Sequence, residues 1–107
     1  MNIQFKKGAL ELCVLALLKK QDRYGYELVQ KISDQIDISE GTVYPLLRRL
    51  KKEEFLTTYL QESTEGPPRK YYRLTEKGRD HLYVLKDEWQ QFSDGVNQII
   101  KEGVNHE

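Results

Sequence analysis

Apolar and polar positions along this chain change rhythm several times, and each rhythm predicts an element. In the run A-L-E-L-C-V-L-A-L-L at positions 9–18 only Glu11 is polar. A helix apolar nearly all round is buried on more than one side. The first helix, expected from about Ile3 to Lys20, therefore needs more cover than a small subunit supplies, and a partner subunit is the economical source. Gln21, Asp22 and Arg23 form a polar break. Tyr24-Gly25-Tyr26 then leads into a second helix reaching to about Ile36, with Leu28, Val29, Ile32 and Ile36 as its stripe. After the short connection Asp37-Ile38, Val43, Leu46, Leu47 and Leu50 recur at the i, i+3, i+4, i+7 spacing of one helix face. The opposite face carries Gly41, Pro45, Arg48 and Lys52, flanked by Thr42, Tyr44 and Arg49. Ser39 suits an N-cap. Proline is comfortable only in a first turn, so either the regular helix begins near Thr42, with Thr42 as the cap, or it bends at Pro45.

Beyond Glu53-Glu54 the period falls to two. Leu56, Thr58 and Leu60 alternate with Thr57, Tyr59 and Gln61, as in a strand. The turn-forming cluster Glu62 to Pro68 follows, and then a second strand-like run, Arg69 to Thr75. Together they predict a β-hairpin with Arg69 and Lys70 beside its tip. Thr75 can cap a final helix with Glu76 in its first turn. In that helix Leu82, Leu85, Trp89, Phe92, Val96 and Ile99 alternate spacings of three and four, an a/d seam for helix-to-helix contact. Gly95 is out of place inside it, and Gly103 with Asn105 is expected to end the order. Two helices joined tightly, the second amphipathic and basic, then a hairpin, make a winged helix-turn-helix. The expected fold is mainly α with a small β-hairpin. Residues 1–78 form the winged helix-turn-helix, and 79–107 a long C-terminal dimerisation helix.

Composition refines this picture in a few places. At 107 residues the chain is one domain, short for a catalytic unit with its own cleft. Net charge is zero, which argues against a generic nucleic-acid binder, but the charge is unevenly spread. Residues 39–79 carry nine Lys/Arg against six Asp/Glu, and residues 80–107 carry two against six. A basic middle and an acidic tail suggest a molecule with one polyanion-facing side. The single cysteine, Cys13, lies in the apolar run, reads as a small buried hydrophobe, and precludes an intrachain disulfide. The run 9–18 is too short to span a bilayer, which takes about 20 residues, so no membrane association and a cytoplasmic location are expected. His81 and His106 stand apart from the cysteine. No spacing suggests metal ligands, a nucleophile with a base, or a phosphate loop, so neither an enzyme nor a cofactor is expected.

Four stretches together carry a family resemblance: K-G-A-L-E-L-C-V-L-A-L-L at 7–18, Y-G-Y-E-L at 24–28, G-T-V-Y-P-L-L-R-R-L at 41–50 and G-P-P-R-K-Y-Y-R-L-T-E-K-G-R at 66–79, with Glu88-Trp89 after them. In this order they resemble the PadR family of transcriptional regulators, and the length resembles the short subfamily with a single C-terminal helix. One departure is local. Glu53-Glu54-Phe55 stands where many members have an acidic residue followed by a small one, often glycine. The resemblance implies a homodimer in which the first and last helices of one subunit pack on those of the other. It further implies binding to double-stranded, palindromic operator DNA, usually as a repressor, with release by an effector in some members.

On this reading Thr42, Tyr44, Pro45, Arg48 and Arg49 of the third helix are DNA-binding candidates. Hydroxyls suit phosphate oxygens, apolar carbon suits a thymine methyl, and the arginines suit the backbone. Arg69 and Lys70 of the wing are expected to follow the backbone or the minor groove. Arg73, Tyr71 and Tyr72 read more readily as structural. Trp89 has two readings, a dimer anchor or, with Phe92 and Leu12, one wall of a pocket for a small hydrophobic or aromatic effector. The competing function is a winged helix used for protein contacts without DNA. It would leave the basic face and the wing cations without a role.

Overall fold

A computed structural model describes residues 3–104, with side chains from Lys7 onward. The helices are α1 (Ile3–Lys20), α2 (Gly25–Ser33), α3 (Glu40–Lys52) and α4 (Glu76–Val104); the strands are β1 (Arg23–Tyr24), β2 (Leu56–Ser63) and β3 (Gly66–Leu74). The result is the mainly helical winged helix-turn-helix with a long C-terminal helix that the hydrophobic rhythm predicts. The core forms where three apolar stripes meet. Leu10, Val14, Leu15 and Leu18 of α1, Leu28, Val29 and Ile32 of α2, and Val43, Leu46, Leu47 and Leu50 of α3 are all buried. Leu56, Tyr72 and Leu82 close this cluster from the sheet and from α4. Burying side chains of this size stabilises by about 1.5–3 kcal/mol each before entropy is counted, which is why α3 has only one way to face.

Several boundaries differ from the sequence expectation. α2 stops at Ser33, three residues short of Ile36, because Asp34, Gln35 and Ile36 close it with turns back to Gln30 and Ile32. The polar break holds a strand. β1 pairs antiparallel with β3, placing Arg23 opposite Tyr72 and Tyr24 opposite Tyr71, so the hairpin is part of a three-stranded sheet in the order β1-β3-β2. Two residues are too few to show a period. Arg23 is also buried, and its Nε donates to the Leu17 carbonyl (3.1 Å) while Nη1 pairs with Glu27 Oε2 (2.8 Å). A buried guanidinium with its donors satisfied ties β1 to the end of α1 and the first turn of α2.

α3 begins at Glu40, so Thr42 is a first-turn residue and not its cap. Ser39 occupies the N-cap position, with its hydroxyl 3.4 Å from that of Thr42 and no bond to a backbone N–H. Pro45 lies within the helix. Its missing N–H leaves the Gly41 carbonyl without the usual partner, and Gly41 is exposed, where water can supply one. The strands run longer than expected and meet at Thr64-Glu65. Pro67 and Pro68 fall between the Ser63–Gly66 and Gln61–Arg69 pairs, where the register is irregular and no ladder N–H is required. Leu60, on the inward side of the alternation, is 70% exposed because the wing extends past the core.

Thr75 caps α4 as expected. Its Oγ1 accepts from the Gly78 N–H (2.9 Å) and donates to the Glu54 carbonyl (2.7 Å). Gly78 is there for close approach, since a Cβ would lie 2.1 Å from the Phe55 carbonyl oxygen. α4 has 29 residues, about 44 Å of helix. Only its first turns, at Gly78 and Leu82, are buried, so the rest runs outward along a molecule 59 Å long. Gly103 lies inside α4; Asn105 and His106 lie outside the described residues. No helix among the described residues is long and apolar enough to cross a membrane.

The family departure at Glu54 has a defined cost. The Phe55 and Glu54 N–H groups donate back to the Leu50 and Lys51 carbonyls, closing α3 in a Schellman motif, and Glu54 takes φ 66°. That conformation favours glycine. Glu54→Gly should therefore stabilise the fold by about 1 kcal/mol, read as a raised urea midpoint at fixed protein concentration with an unchanged slope.

Candidate nucleic-acid interface

With Val43, Leu46, Leu47 and Leu50 buried, the residues a half-turn away on α3 must face outward. Pro45, Arg48 and Arg49 are exposed, and Thr42 and Tyr44 half-buried. The outward face divides into two hollows. On one side Tyr44 and Arg48 meet Arg69 and Lys70 from β3 and Tyr24, Gly25 and Tyr26 from the β1–α2 junction, around a hollow of about 410 Å³. Gly25 makes room for this arrangement, because a Cβ there would sit 2.9 Å from Tyr44 Cε1. Burial, then the nearby charge of Glu40 and the Tyr26 phenol, pushes the Tyr44 phenol above its ordinary pKa. It stays a neutral hydroxyl, able to donate to an anion.

On the other side Thr42, Pro45, Leu46 and Arg49 line a smaller hollow of about 180 Å³ with Lys7 from α1. Arg49 is already engaged there, with Nη2 3.3 Å from Glu11 Oε2 and Nη1 3.0 Å from Glu53 Oε2. The two adjacent arginines thus differ in their neighbours. Arg48 joins the wing cations, and Arg49 sits between carboxylates.

Arg69 and Lys70 do not flank the wing tip. They pair with Gln61 and Leu60 in mid-strand, which sets them back beside α3, and the Arg69 guanidinium lies 4.7 Å over the Tyr24 ring. A row of tyrosines crosses the outer face of the sheet, Tyr24 beside Tyr71 and Tyr71 beside Tyr59, each pair 5.6 Å between centroids. Asp22 anchors its far end, accepting from the Tyr59 hydroxyl (2.7 Å) and from Arg73 Nε (3.0 Å). Tyr72 points the opposite way and is core.

The seam of α4 is used in two parts. Leu82 is 5% exposed and belongs to the subunit's own core, and Leu85 is packed against that core. Trp89, Phe92, Val96 and Ile99 are 37–71% exposed. The first α4 turns lie on the α1–α3 body, so the first two seam positions are covered within the chain. Further along, Leu12, Leu85, Trp89 and Phe92 line a hollow of about 350 Å³ with Gly8, Ala9 and Glu88. The sequence reading missed Tyr24 and Tyr26, taken only as a helix start, as well as Lys7, Glu11 and Asp22. A lone carboxylate in an apolar run was the available signal for Glu11.

A helix-turn-helix whose outward helix shares a cationic face with its wing defines a winged-helix DNA-binding protein. The "Transcriptional regulator PadR-like family" profile matches residues 14–96. The chain is 44% identical to a PadR-like transcription factor from Bacteroides fragilis of known structure, covering 90% of this chain and 94% of that one with a TM-score of 0.75. It is 40% identical to a PadR-like transcriptional regulator from Bacillus cereus, over 92% and 97% of the two chains, with a TM-score of 0.83. A transcriptional regulator of Mycobacterium tuberculosis is 32% identical over 80 residues, 74% of each chain. The chain belongs to the PadR-like family. It is a DNA-binding transcriptional regulator that acts as a homodimer, and it is not an enzyme.

The Asp22 contacts generate a titration prediction. The bond to Asp22, with burial and the carboxylate charge after it, holds the Tyr59 phenol above its ordinary pKa. A phenol raised in the folded state supports folding below its unfolded pKa and loses that contribution as pH rises through the folded value. Asp22→Asn should make Tyr59 ionise at lower pH than in the wild type, which ring NMR across the alkaline range measures.

Proposed function

We propose that this regulator is a repressor that binds a palindromic operator in its own upstream DNA and is released by a small aromatic effector. Each α3 of the homodimer enters a major groove, with half-sites about one helical turn apart. Thr42, Tyr44 and Pro45 carry sequence preference, while Arg48, Arg69 and Lys70 hold phosphates. The convergence of Tyr44 and Arg48 with Arg69 and Lys70 around one hollow is the observation that carries this reading, because it gives reading helix and wing one shared cationic face. The exposed α4 residues Trp89, Phe92, Val96 and Ile99 support pairing through this helix. Residues 79–107 serve as the dimerisation segment, with Leu82 and Leu85 rooting it in the body.

A dimer touching six to ten phosphates loses about 10³–10⁵ in affinity between roughly 50 and 200 mM salt. Arg48→Ala should weaken operator binding and flatten the log K against log salt plot by about 2, because each subunit then neutralises one phosphate fewer, at about 0.9 each. Fluorescence anisotropy on the upstream duplex measures both. A slope equal to the wild type's removes Arg48 from the phosphate contacts.

The hollow at Leu12, Trp89 and Phe92 supports the effector reading, with a flat indole on one side and the Glu88 carboxylate at the lining. That combination suits a planar aromatic cation better than an acid. Titrating planar aromatic cations and phenolic acids should quench Trp89 emission and raise the melting temperature with the cations. Emission and melting unchanged across both sets remove the pocket.

A further inference from the structure

One carboxylate joins the three helices that matter to this regulator. Glu11 of α1 is the only polar residue in its apolar run, and its side chain is 15% exposed. Oε1 lies 2.9 Å from His81 Nε2 on α4, and Oε2 lies 3.3 Å from Arg49 Nη2 on α3. The His81 ring is held flat against Phe55, with centroids 4.1 Å apart and planes within 4°, so its N–H has a fixed aim. Glu53 takes the other guanidinium nitrogen of Arg49. Arg49 is nevertheless 46% exposed, beside Thr42, Pro45 and Lys7. An arginine side chain is long enough to turn from a carboxylate to a phosphate at that position.

We propose that Glu11 is a latch that withholds Arg49 from DNA, and that His81 sets its hold, so that the seating of α4 on α1 controls a contact of the reading helix. Glu11 divides its attraction between two donors. While His81 occupies one oxygen, Arg49 is held loosely enough to exchange onto phosphate. When α4 shifts and His81 withdraws, the carboxylate is left to Arg49 and the pair tightens. The α1–α4 hollow lies next to this pair in both helices, since Leu12 follows Glu11 directly and Leu85 is one turn beyond His81. A wedge between those helices there pulls on the α4 turn that carries His81. This deepens the DNA-binding reading and rests on it.

The test is a salt series of operator binding by the full-length dimer. Glu11→Gln keeps the side-chain shape and removes the charge. It should raise affinity about 10-fold, roughly 3-fold per subunit for a part-exposed ion pair, and steepen the salt slope by up to about 2. Arg49→Ala alone should weaken binding about 3-fold, the full worth of its partial phosphate contact, and in the Glu11→Gln background it should abolish the gain. His81→Phe, which keeps a ring on Phe55 but loses the donor, should weaken binding about 3-fold with Glu11 present and not at all in Glu11→Gln. An unchanged Glu11→Gln protein, or an equal gain with and without Arg49, overturns the latch. Failure of the underlying reading shows separately, in the unsubstituted protein, as no preference for its upstream DNA over random duplex at any salt.

Discussion

The burial of α3 is the constraint on which the rest depends. Four side chains of that helix, all at most 7% exposed, leave it no rotational freedom against α1, α2 and β2. Once they are committed, Arg48 and Pro45 can only point away from the body, and Thr42 and Tyr44 can only flank them. The DNA-reading role proposed for α3 needs this rigidity, because base and phosphate contacts require side chains held in place. Core packing and site geometry are therefore the same fact in this protein. Loss of Leu47 or Leu50 would cost the stability typical of a buried leucine, about 2–5 kcal/mol, and would also unaim the outward face of α3.

The wing is aimed by a second set of contacts. β1 is only two residues long, but it fastens β3 to the start of α2 and so brings Arg69 and Lys70 beside Tyr44 and Arg48. Buried Arg23 holds β1 from below, and Asp22 holds the outer face through Tyr59 and Arg73. An arginine and an aspartate that look like solvent-exposed polar residues in sequence instead position the cations of the wing beside those of α3. At the other end of the body Thr75, Gly78 and Phe55 make the joint from which α4 departs. The same joint brings His81 onto Phe55 and within reach of Glu11. α4 and α3 are thus connected through polar contacts as well as through the core.

Net charge misleads for this molecule because it averages over faces. The acidic excess falls in residues 80–107, two Lys/Arg against six Asp/Glu, and the basic excess in residues 39–79, nine against six, and the interaction with a polyanion depends on the local field within a Debye length of about 8–10 Å. Even within α3 position outweighs identity. Arg48 and Arg49 are neighbours in sequence, yet the rotation of about 100° between successive helical residues separates a cation grouped with the wing from one held by Glu11 and Glu53.

Periodicity and capping chemistry were enough to read the elements and their inward faces from sequence: the α3 stripe, the hairpin and the Thr75 cap. Each is local, so short-range spacing records it. The motifs at 41–50 and 66–79 likewise carried the family. Tertiary structure alone decided which polar residues share a site. No local signal could announce that Asp22 would meet Arg73, 51 positions on, or that Glu11 would face His81, 70 positions on. It also decided that Leu82 belongs to the core while Phe92 stays exposed on the same seam, because burial depends on where the rest of the chain ends. The physical reason is common to all of these. Secondary structure is set by neighbours a few residues away, while charge pairing and burial are set by packing between elements far apart in the chain.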